Sequence, residues 1–240
     1  MIPGPFNYHR PASVGDAINL LASLGEEARP LAGGHSLIPM MKLRLATPGH
    51  LVDLHGVAGL KGIRRDGNRV VIGAMTTQHE LLASDEIKAS LPILQEAAAL
   101  IADPQVRYRG TIGGNVANGD PGNDMPALML TLGAAYRLEG PNGAREIMPS
   151  DFYQGAYFTA LEPGEILTSI TIPMPAAGDM IACAAAAAFF RSASSRLVPI
   201  TALAASVASS GVSCRLVRPI AQAATLPPDM VSTTAAAAVA

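Results

Sequence analysis

The sequence predicts an α+β protein with one or two domains. Short helical patterns alternate irregularly with short strand patterns, and neither an internal repeat nor a regular βαβαβ alternation is present. The 240 residues are 49% apolar, which is enough to build a sizeable core. A net charge of −2, without any run of Lys or Arg, argues against a large polyanion such as nucleic acid as a partner.

The first elements predicted along the chain are one helix and two short strands. In the helix over 13–24, Ser13 and Asp16 have the spacing of a capping box, and Gly25 supplies a C-terminal stop. A buried strand is predicted over 29–32, where it leads directly into a glycine pair, and another strand is predicted over 50–54.

A hairpin and two helices are predicted next. Strands over 60–65 and 69–73 are joined by the turn Asp66-Gly67-Asn68. Thr77 and Glu80 form a capping box that opens a helix ending at about residue 82, and an alanine-rich helix follows over 91–102.

The last elements with clear patterns lie between residues 128 and 175. A helix runs into a strand within 128–138, with Gly133 as the break, and a turn over 141–143 follows. Ser150 is predicted to cap a short helix. The alternation over 166–172 is typical of a strand that Pro173 and Pro175 stop.

Two glycine-rich segments carry the strongest functional signal. Residues 32–36 and 111–115 each pair two glycines with hydroxyl or amide side chains. Glycine lets several backbone N–H groups converge on an anion, and a hydroxyl such as that of Ser36 adds a neutral donor. One such pair alone is more often a tight turn, but two predict a pyrophosphate ligand. Neither a Rossmann fingerprint nor a P-loop occurs in the sequence.

Metal binding is not predicted for this sequence. Its two cysteines, Cys183 and Cys214, are far apart and lack neighbouring ligands, so they form neither a zinc site nor an iron–sulphur cluster. Asp103, Asp120 and Asp124 could together suggest a hard cation, but they lie among Pro and Gly, where Asp commonly stabilises turns.

Both glycine segments resemble a known family. Residues 31–39 and 110–115, continued by Asp120-Pro121 and 124–126, are similar to the FAD-binding medium subunit of molybdenum hydroxylases. The opening residues 1–4 and 6–11 resemble the branch of that family that oxidises carbon monoxide aerobically. The resemblance covers about residues 1–175.

The resemblance implies a vanillyl-alcohol-oxidase or PCMH-type FAD-binding domain over 1–176, built of two α/β subdomains over about 1–57 and 58–176. It implies no catalytic residue on this chain, and an N-cap role beside Pro126 is the alternative for Asp124. Contacts to FAD are implied for Ala32, Gly33, Gly34, His35, Ser36, Leu37, Ile101, Ala102, Thr111, Gly113, Gly114, Asn115 and Asp124.

The implied function is electron transfer within a cytoplasmic complex. A large subunit oxidises the substrate at molybdenum, a small subunit relays electrons through two 2Fe-2S clusters, and FAD on this chain passes them to an external acceptor. The complex would be a heterotrimer that dimerises, with carbon monoxide as substrate. Two alternatives are the equivalent subunit of an enzyme for purines, N-heterocycles or aldehydes, and a truncated scaffold that no longer holds FAD.

The scaffold alternative depends on residues 177–240. This Ala/Ser-rich region has no Lys, Glu, His, Tyr or Asn, and it stands in place of the family's C-terminal domain, whose Gly-Asp-Tyr motif packs on the flavin. A shifted reading frame in a GC-rich gene is one hypothesis for this composition. Nucleotide sequence that encodes the family's C-terminal domain in another frame would support it.

Overall fold

The computed structural model describes residues 2–174. Contacts divide the chain into two units, Met1–Pro175 and Ala176–Ala240, and every helix and strand of residues 2–174 belongs to the first unit. The atypical region over 177–240 lies outside the described residues, and the predicted domain boundaries stay a prediction.

Helices and strands both contribute to the fold, which confirms the predicted α+β class. The strands are β1 (Asn7–His9), β2 (Ala28–Leu31), β3 (His50–Asp53), β4 (Ile63–Asp66), β5 (Arg69–Gly73), β6 (Ala135–Gly140), β7 (Gly143–Ile147), β8 (Tyr153–Gly155), β9 (Phe158–Thr159) and β10 (Ile166–Pro173). The helices are α1 (Val14–Leu24), α2 (Leu37–Lys42), α3 (Gln78–Ala83), α4 (Asp85–Ser90), α5 (Pro92–Leu100), α6 (Pro104–Arg109), α7 (Ile112–Ala117), α8 (Asp124–Thr131) and α9 (Pro149–Phe152).

The first sheet is parallel, in the order β1-β3-β2, and α1 packs on it. Ser13 accepts a hydrogen bond from the Asp16 N–H, as the sequence predicts for the start of α1. Ala17, Ile18 and Leu21 are buried on the inner face of this helix. Burying each of the two larger side chains contributes about 1.5–3 kcal/mol, so the helix is stabilised mainly by packing.

Strand β2 is less buried than the sequence predicts. Ala28 is buried, but Arg29 and Pro30 are exposed, and β2 is one of the two edge strands of its sheet. Pro30 has no backbone N–H to donate, which suits an edge position. The expectation of a buried strand at this position is therefore wrong, although β2 does lead into the first glycine segment.

The second sheet is antiparallel, in the order β4-β5-β10-β6-β7. Its hairpin β4–β5 turns at the predicted residues, but β4 begins at Ile63 rather than at residue 60. The earlier residues Ala58–Leu60 instead form a 3₁₀ turn. The central strand β10 buries Ile166, Leu167 and Thr168 in succession and then the alternate residues Ile170 and Ile172.

The helices before the second glycine segment differ from the prediction at their boundaries. The capping box of Thr77 and Glu80 is present at the start of α3. Helix α4, which Ser84 caps, has no counterpart among the predicted elements. Helix α5 ends at Leu100, not at residue 102, because the backbone of Ile101 is extended, with φ −70° and ψ 112°, and Ala102 follows it with φ 43°.

The predicted cap at Ser150 is wrong. Ser150 lies inside α9, whose N-cap is Met148 and whose first residue is Pro149. Proline suits this first position because its φ is already helical and the N–H that it lacks would have no partner there. No helix within residues 2–174 is long and apolar enough to cross a membrane.

Candidate functional site

The fold brings the two glycine segments into direct contact. The first is the loop between β2 and α2, and the second is Thr111 with the first turn of α7. A Cβ on Gly33 would lie 2.6 Å from the Arg109 carbonyl oxygen and 2.7 Å from Gly110 Cα. A Cβ on Gly114 would lie 3.2 Å from Ala32 Cβ. Only residues without a side chain let the two backbones approach this closely.

The first segment offers a set of free backbone donors. Within residues 2–174, nothing accepts a hydrogen bond from the N–H groups of Gly33, Gly34, His35 or Ser36. Gly34 has φ 78°, a conformation that glycine adopts without strain. Successive unpaired N–H groups around such a turn form an anion-binding concavity. The segment thus has the free donors that a backbone cradle needs, and its contacts to FAD stay a prediction.

The second segment does not offer such a run of donors. Its four amides after Thr111 all bond inside the protein: Ile112 N to Thr76 O at 2.9 Å, Gly113 N to Ala74 O at 2.9 Å, Gly114 N to Thr111 Oγ1 at 3.0 Å and Asn115 N to Thr111 O at 3.1 Å. This corrects the predicted reason for its glycines. A Cβ on Gly113 would meet Ala74 Cβ at 2.5 Å, so at this position glycine serves close packing.

Asn115 nevertheless has a free acceptor at this site. Its side-chain Oδ1 is buried and has no hydrogen-bond partner within the described residues. Its backbone oxygen accepts a bond of 3.2 Å from Asn123 Nδ2. A buried amide oxygen without a partner carries a desolvation cost, and a ligand hydroxyl or N–H would relieve it.

Asp124 lies next to this pair, at the first position of α8. The N-cap is Asn123, so the alternative N-cap role for Asp124 is wrong. Asp124 keeps exposed surface, and no described residue bonds to its carboxylate. The partial burial of the carboxylate raises its pKa above the usual value. The carboxylate can accept a hydrogen bond from a ligand.

Ile101 and Ala102 form the turn between α5 and α6. Ile101 is half-buried and Ala102 is exposed. Sequence reasoning missed the residue that holds this turn: Arg107 Nη1 donates to the carbonyl oxygens of Ile101 and Ala102 and to that of Ala99 in α5. The available signal was a basic residue close to the C-terminus of a helix, where carbonyl groups lack partners.

The remaining predicted site residues belong to the first segment or follow it directly. The side chains of His35 and Ser36 are exposed, and Leu37 begins α2. Two of the three aspartates considered for a cation have turn or cap roles instead. Asp103 accepts from Val106 N at 2.9 Å, and Asp120 accepts from Gly122 N at 2.9 Å. Among residues 2–174, no three His, Cys, Asp or Glu side chains are grouped as metal ligands.

Comparison with known proteins assigns the family. The sequence profile described as "FAD binding domain in molybdopterin dehydrogenase" matches residues 4–175. The chain belongs to this family. It is 68% identical over 178 residues to the carbon monoxide dehydrogenase medium chain of Afipia carboxidovorans, an alignment that covers 74% of this chain and 62% of the relative.

Two further proteins support the assignment. The carbon monoxide dehydrogenase medium chain of Hydrogenophaga pseudoflava is 54% identical, with 74% of this chain and 62% of the relative aligned. A crystal structure of Cu,Mo-CO dehydrogenase in its cyanide-inactivated form matches with TM-score 0.73 and 69% identity, over 73% of this chain and 62% of that chain. The match confirms the predicted PCMH-type FAD-binding fold. This chain spans about three fifths of the length of these relatives.

The residues present fit FAD, the cofactor of this family. The free amides of residues 33–36 suit the pyrophosphate of FAD as hydrogen-bond donors. The unpartnered Asn115 Oδ1 and the Asp124 carboxylate suit the hydroxyl and N–H groups of FAD as acceptors. The two segments can approach closely because Gly33 and Gly114 have no Cβ atoms on the surface where the segments meet.

Proposed function

We propose that this chain is the FAD-binding medium subunit of a molybdenum hydroxylase complex and that it transfers electrons. It takes electrons from the 2Fe-2S clusters of a small subunit and passes them to an external acceptor. Carbon monoxide oxidation to CO2, at molybdenum on a large subunit, is the proposed reaction of the complex, because the relatives from Afipia and Hydrogenophaga are both carbon monoxide dehydrogenase medium chains. A cytoplasmic heterotrimer that dimerises belongs to the same proposal.

One observation carries the cofactor part of this proposal. Residues 33–36 have unpaired amides, and the first of them, Gly33, lies against the backbone of Arg109, Gly110 and Thr111. The first segment supplies donors, and the second supplies a wall in which the amides of residues 112–115 already bond inside the protein. A small diphosphate needs such a wall, because a rigid surface holds the donors in place before the ligand arrives.

Each site residue then has a specific role. The amides of Gly33, Gly34, His35 and Ser36 donate to the pyrophosphate oxygens. Asn115 Oδ1 and the Asp124 carboxylate accept from ribityl or ribose hydroxyls, while Ile101 and Ala102 cover one side of the flavin ring and exclude water. FAD, when bound, supplies the capacity to accept and release one or two electrons.

The amino-acid content supports division of the electron path among several chains. This sequence contains two cysteines, Cys183 and Cys214, whereas a 2Fe-2S cluster is held by four ligands, usually cysteines. We therefore assign the clusters that reduce FAD to residues other than these 240, on the proposed small subunit.

The decisive experiment is a visible absorption spectrum of the purified 240-residue chain after addition of FAD and removal of the excess. We expect a bound-flavin spectrum for the parent and for Gly59→Ala, since a Cβ on Gly59 would meet nothing within 4 Å. In Gly33→Ala the new methyl group pushes the two segments apart, and we expect the flavin to be lost.

Asn115→Ala gives a second, less disruptive variant, because it removes only the unpartnered amide. It should keep the fold and bind FAD more weakly. A folded parent that binds no flavin would contradict the proposal and would favour the truncated scaffold instead. Flavin binding that is equal in all four proteins would place the cofactor elsewhere.

A further inference from the structure

Arg107 binds three backbone carbonyl groups at the end of α5 and in the turn that follows it. Its Nη1 atom donates to Ala99 O at 3.2 Å, to Ile101 O at 2.9 Å and to Ala102 O at 2.9 Å. The side chain is half-buried and has no carboxylate partner within residues 2–174. A guanidinium used in this way ties together backbone atoms and takes no part in an ion pair.

The turn needs an external support for two physical reasons. The last carbonyl groups of a helix have no partners inside the helix, and Ala99 lies in the final turn of α5. Ala102 has φ 43°, a left-handed conformation that a residue with a Cβ adopts only under strain. A positively charged donor stabilises the carbonyl groups at the end of α5 and in the turn after it, because carbonyl dipoles at a helix C-terminus point their negative ends at the cation.

Helix α6 connects the Ile101–Ala102 turn to the glycine segments. Asp103 caps the start of α6 through Val106 N, Arg107 lies in its last turn, and the carbonyl of Arg109 contacts Gly33. The Ile101–Ala102 turn thus precedes α6 in the sequence, and the contact with the pyrophosphate loop lies at the end of α6. Arg107 supports the first of these two parts of the site.

We propose that Arg107 is a positioning residue that holds the Ile101–Ala102 turn in the shape that meets the flavin ring. This inference rests on the proposed function, which places the turn along the ring. It assigns to Arg107 a role for the flavin end of the cofactor and none for the pyrophosphate end.

The test uses the full chain with Arg107→Ala, Arg107→Lys and the control Arg69→Ala. Arg69 is an exposed arginine at the start of β5 that makes no side-chain hydrogen bond or ion pair with the described residues, so its removal changes charge alone. Two kinds of measurement are made. Amide hydrogen exchange at residues 101–103 is followed without FAD, and the affinities for FAD and for ADP are measured by fluorescence and competition.

For Arg107→Ala we expect amide exchange at residues 101–103 to rise and FAD affinity to fall, each on the order of tenfold, because hydrogen bonds from a charged donor are lost. ADP affinity should stay within about twofold, since ADP carries the pyrophosphate but no flavin ring. Arg107→Lys keeps the charge and should retain part of the FAD affinity and of the slow amide exchange that Arg107→Ala loses. Arg69→Ala should match the parent.

Two results would overturn the inference. One is unchanged exchange at residues 101–103, and the other is an equal loss of FAD and ADP affinity, which a general loss of structure would produce. If the parent itself binds neither ligand, the proposed function fails, whereas the exchange data still show whether Arg107 holds the turn. If Arg107→Ala does not fold, Arg107→Lys carries the test by itself, with a smaller rise in exchange at residues 101–103 and a smaller loss of FAD affinity at unchanged ADP affinity.

Discussion

Gly33 and Arg109 touch through their backbones, and a Cβ on Gly33 would lie 2.6 Å from the Arg109 carbonyl oxygen. This contact joins the loop after an edge strand to the end of α6, so that residues from two separate parts of the fold form one surface. Gly34, the next residue, is required for a different reason, because its φ of 78° is a conformation that side chains disfavour.

Alanine substitutions at three glycines should separate these reasons. Gly33→Ala forces a methyl group into fixed backbone and should lower the free energy of unfolding by about 2–3 kcal/mol. Gly34→Ala adds mainly left-handed strain, about 1 kcal/mol, since its Cβ would meet only the flexible side chains of Ile38 and Leu31. Gly59→Ala should change stability little. Urea unfolding of the FAD-free chain measures all three, and equal values at Gly33 and Gly59 would refute the close contact.

Thr111 should stabilise the second segment through its hydroxyl. The Oγ1 atom caps α7 by accepting from Gly114 N at 3.0 Å, and Thr111 is only 2% exposed. Thr111→Val keeps the shape but leaves this N–H unpaired, which should cost about 1–2 kcal/mol. Thr111→Ser retains the hydroxyl and should recover most of the loss. If serine and valine were equally destabilising in urea unfolding, the cap would not be the cause.

Glu165 should make stability depend on pH in the acid range. Arg145 donates to it twice, from Nε at 2.8 Å and from Nη2 at 2.7 Å. The hydrogen bonds from Arg145 lower the pKa of Glu165 below its usual 4.5, although partial burial opposes the shift. A lowered folded-state pKa means that this stabilisation is complete above pH 4.5 and is lost as the pH falls through the folded-state value.

Glu165→Gln should therefore lower stability near neutral pH and flatten its decline below pH 4.5. The matched control is Glu162→Gln, since the Glu162 carboxylate is 3.9 Å from Arg145 and its side chain is 59% exposed. That variant should keep the pH profile of the parent. Thermal unfolding across the acid range makes the comparison, and identical profiles for Glu165→Gln and the parent would exclude this ion pair as the source.

Asp124 should make FAD binding depend on pH. The partial burial of its carboxylate raises its pKa above 3.8, and only the ionised group is a full acceptor for a cofactor hydroxyl. The affinity for FAD should thus be greatest above the raised pKa and fall as the carboxylate takes up a proton. Titration of FAD at several pH values measures this, with Asp124→Asn as the variant that should bind more weakly and lose the dependence. If the pH dependence of FAD affinity were the same in Asp124→Asn as in the parent, Asp124 would not be part of the site.

Local sequence patterns predicted those elements whose stabilising contacts are close along the chain. The caps at Ser13 and Thr77 and the hairpin turn at residues 66–68 depend on residues a few positions away, and the structure confirms them. Errors occurred where distant contacts decide. The pattern of β2 predicts burial of Arg29 and Pro30, but the order of strands places β2 at an edge. Ser150 has the right residue type for a cap, yet Pro149 beside it fits the first helical position better.

The candidate site shows the same limit more sharply. Both glycine segments could be found from composition, but composition assigned amide donors to each. The structure leaves the donors of residues 33–36 free and satisfies those of residues 112–115 with Ala74, Thr76 and Thr111. Which glycine donates and which only allows close packing depends on what lies opposite it, and no local pattern carries that information.

The amino-acid sequence by itself determined the α+β class, the two glycine segments and the likeness to the FAD-binding family, because these depend on residue type and local spacing. Only the tertiary structure decided that the segments touch at Gly33, that Asn115 has an acceptor without a partner among the described residues and that Arg107 holds the Ile101–Ala102 turn. The physical reason is that hydrogen bonds and close packing between distant segments are set by how the two sheets and their helices assemble.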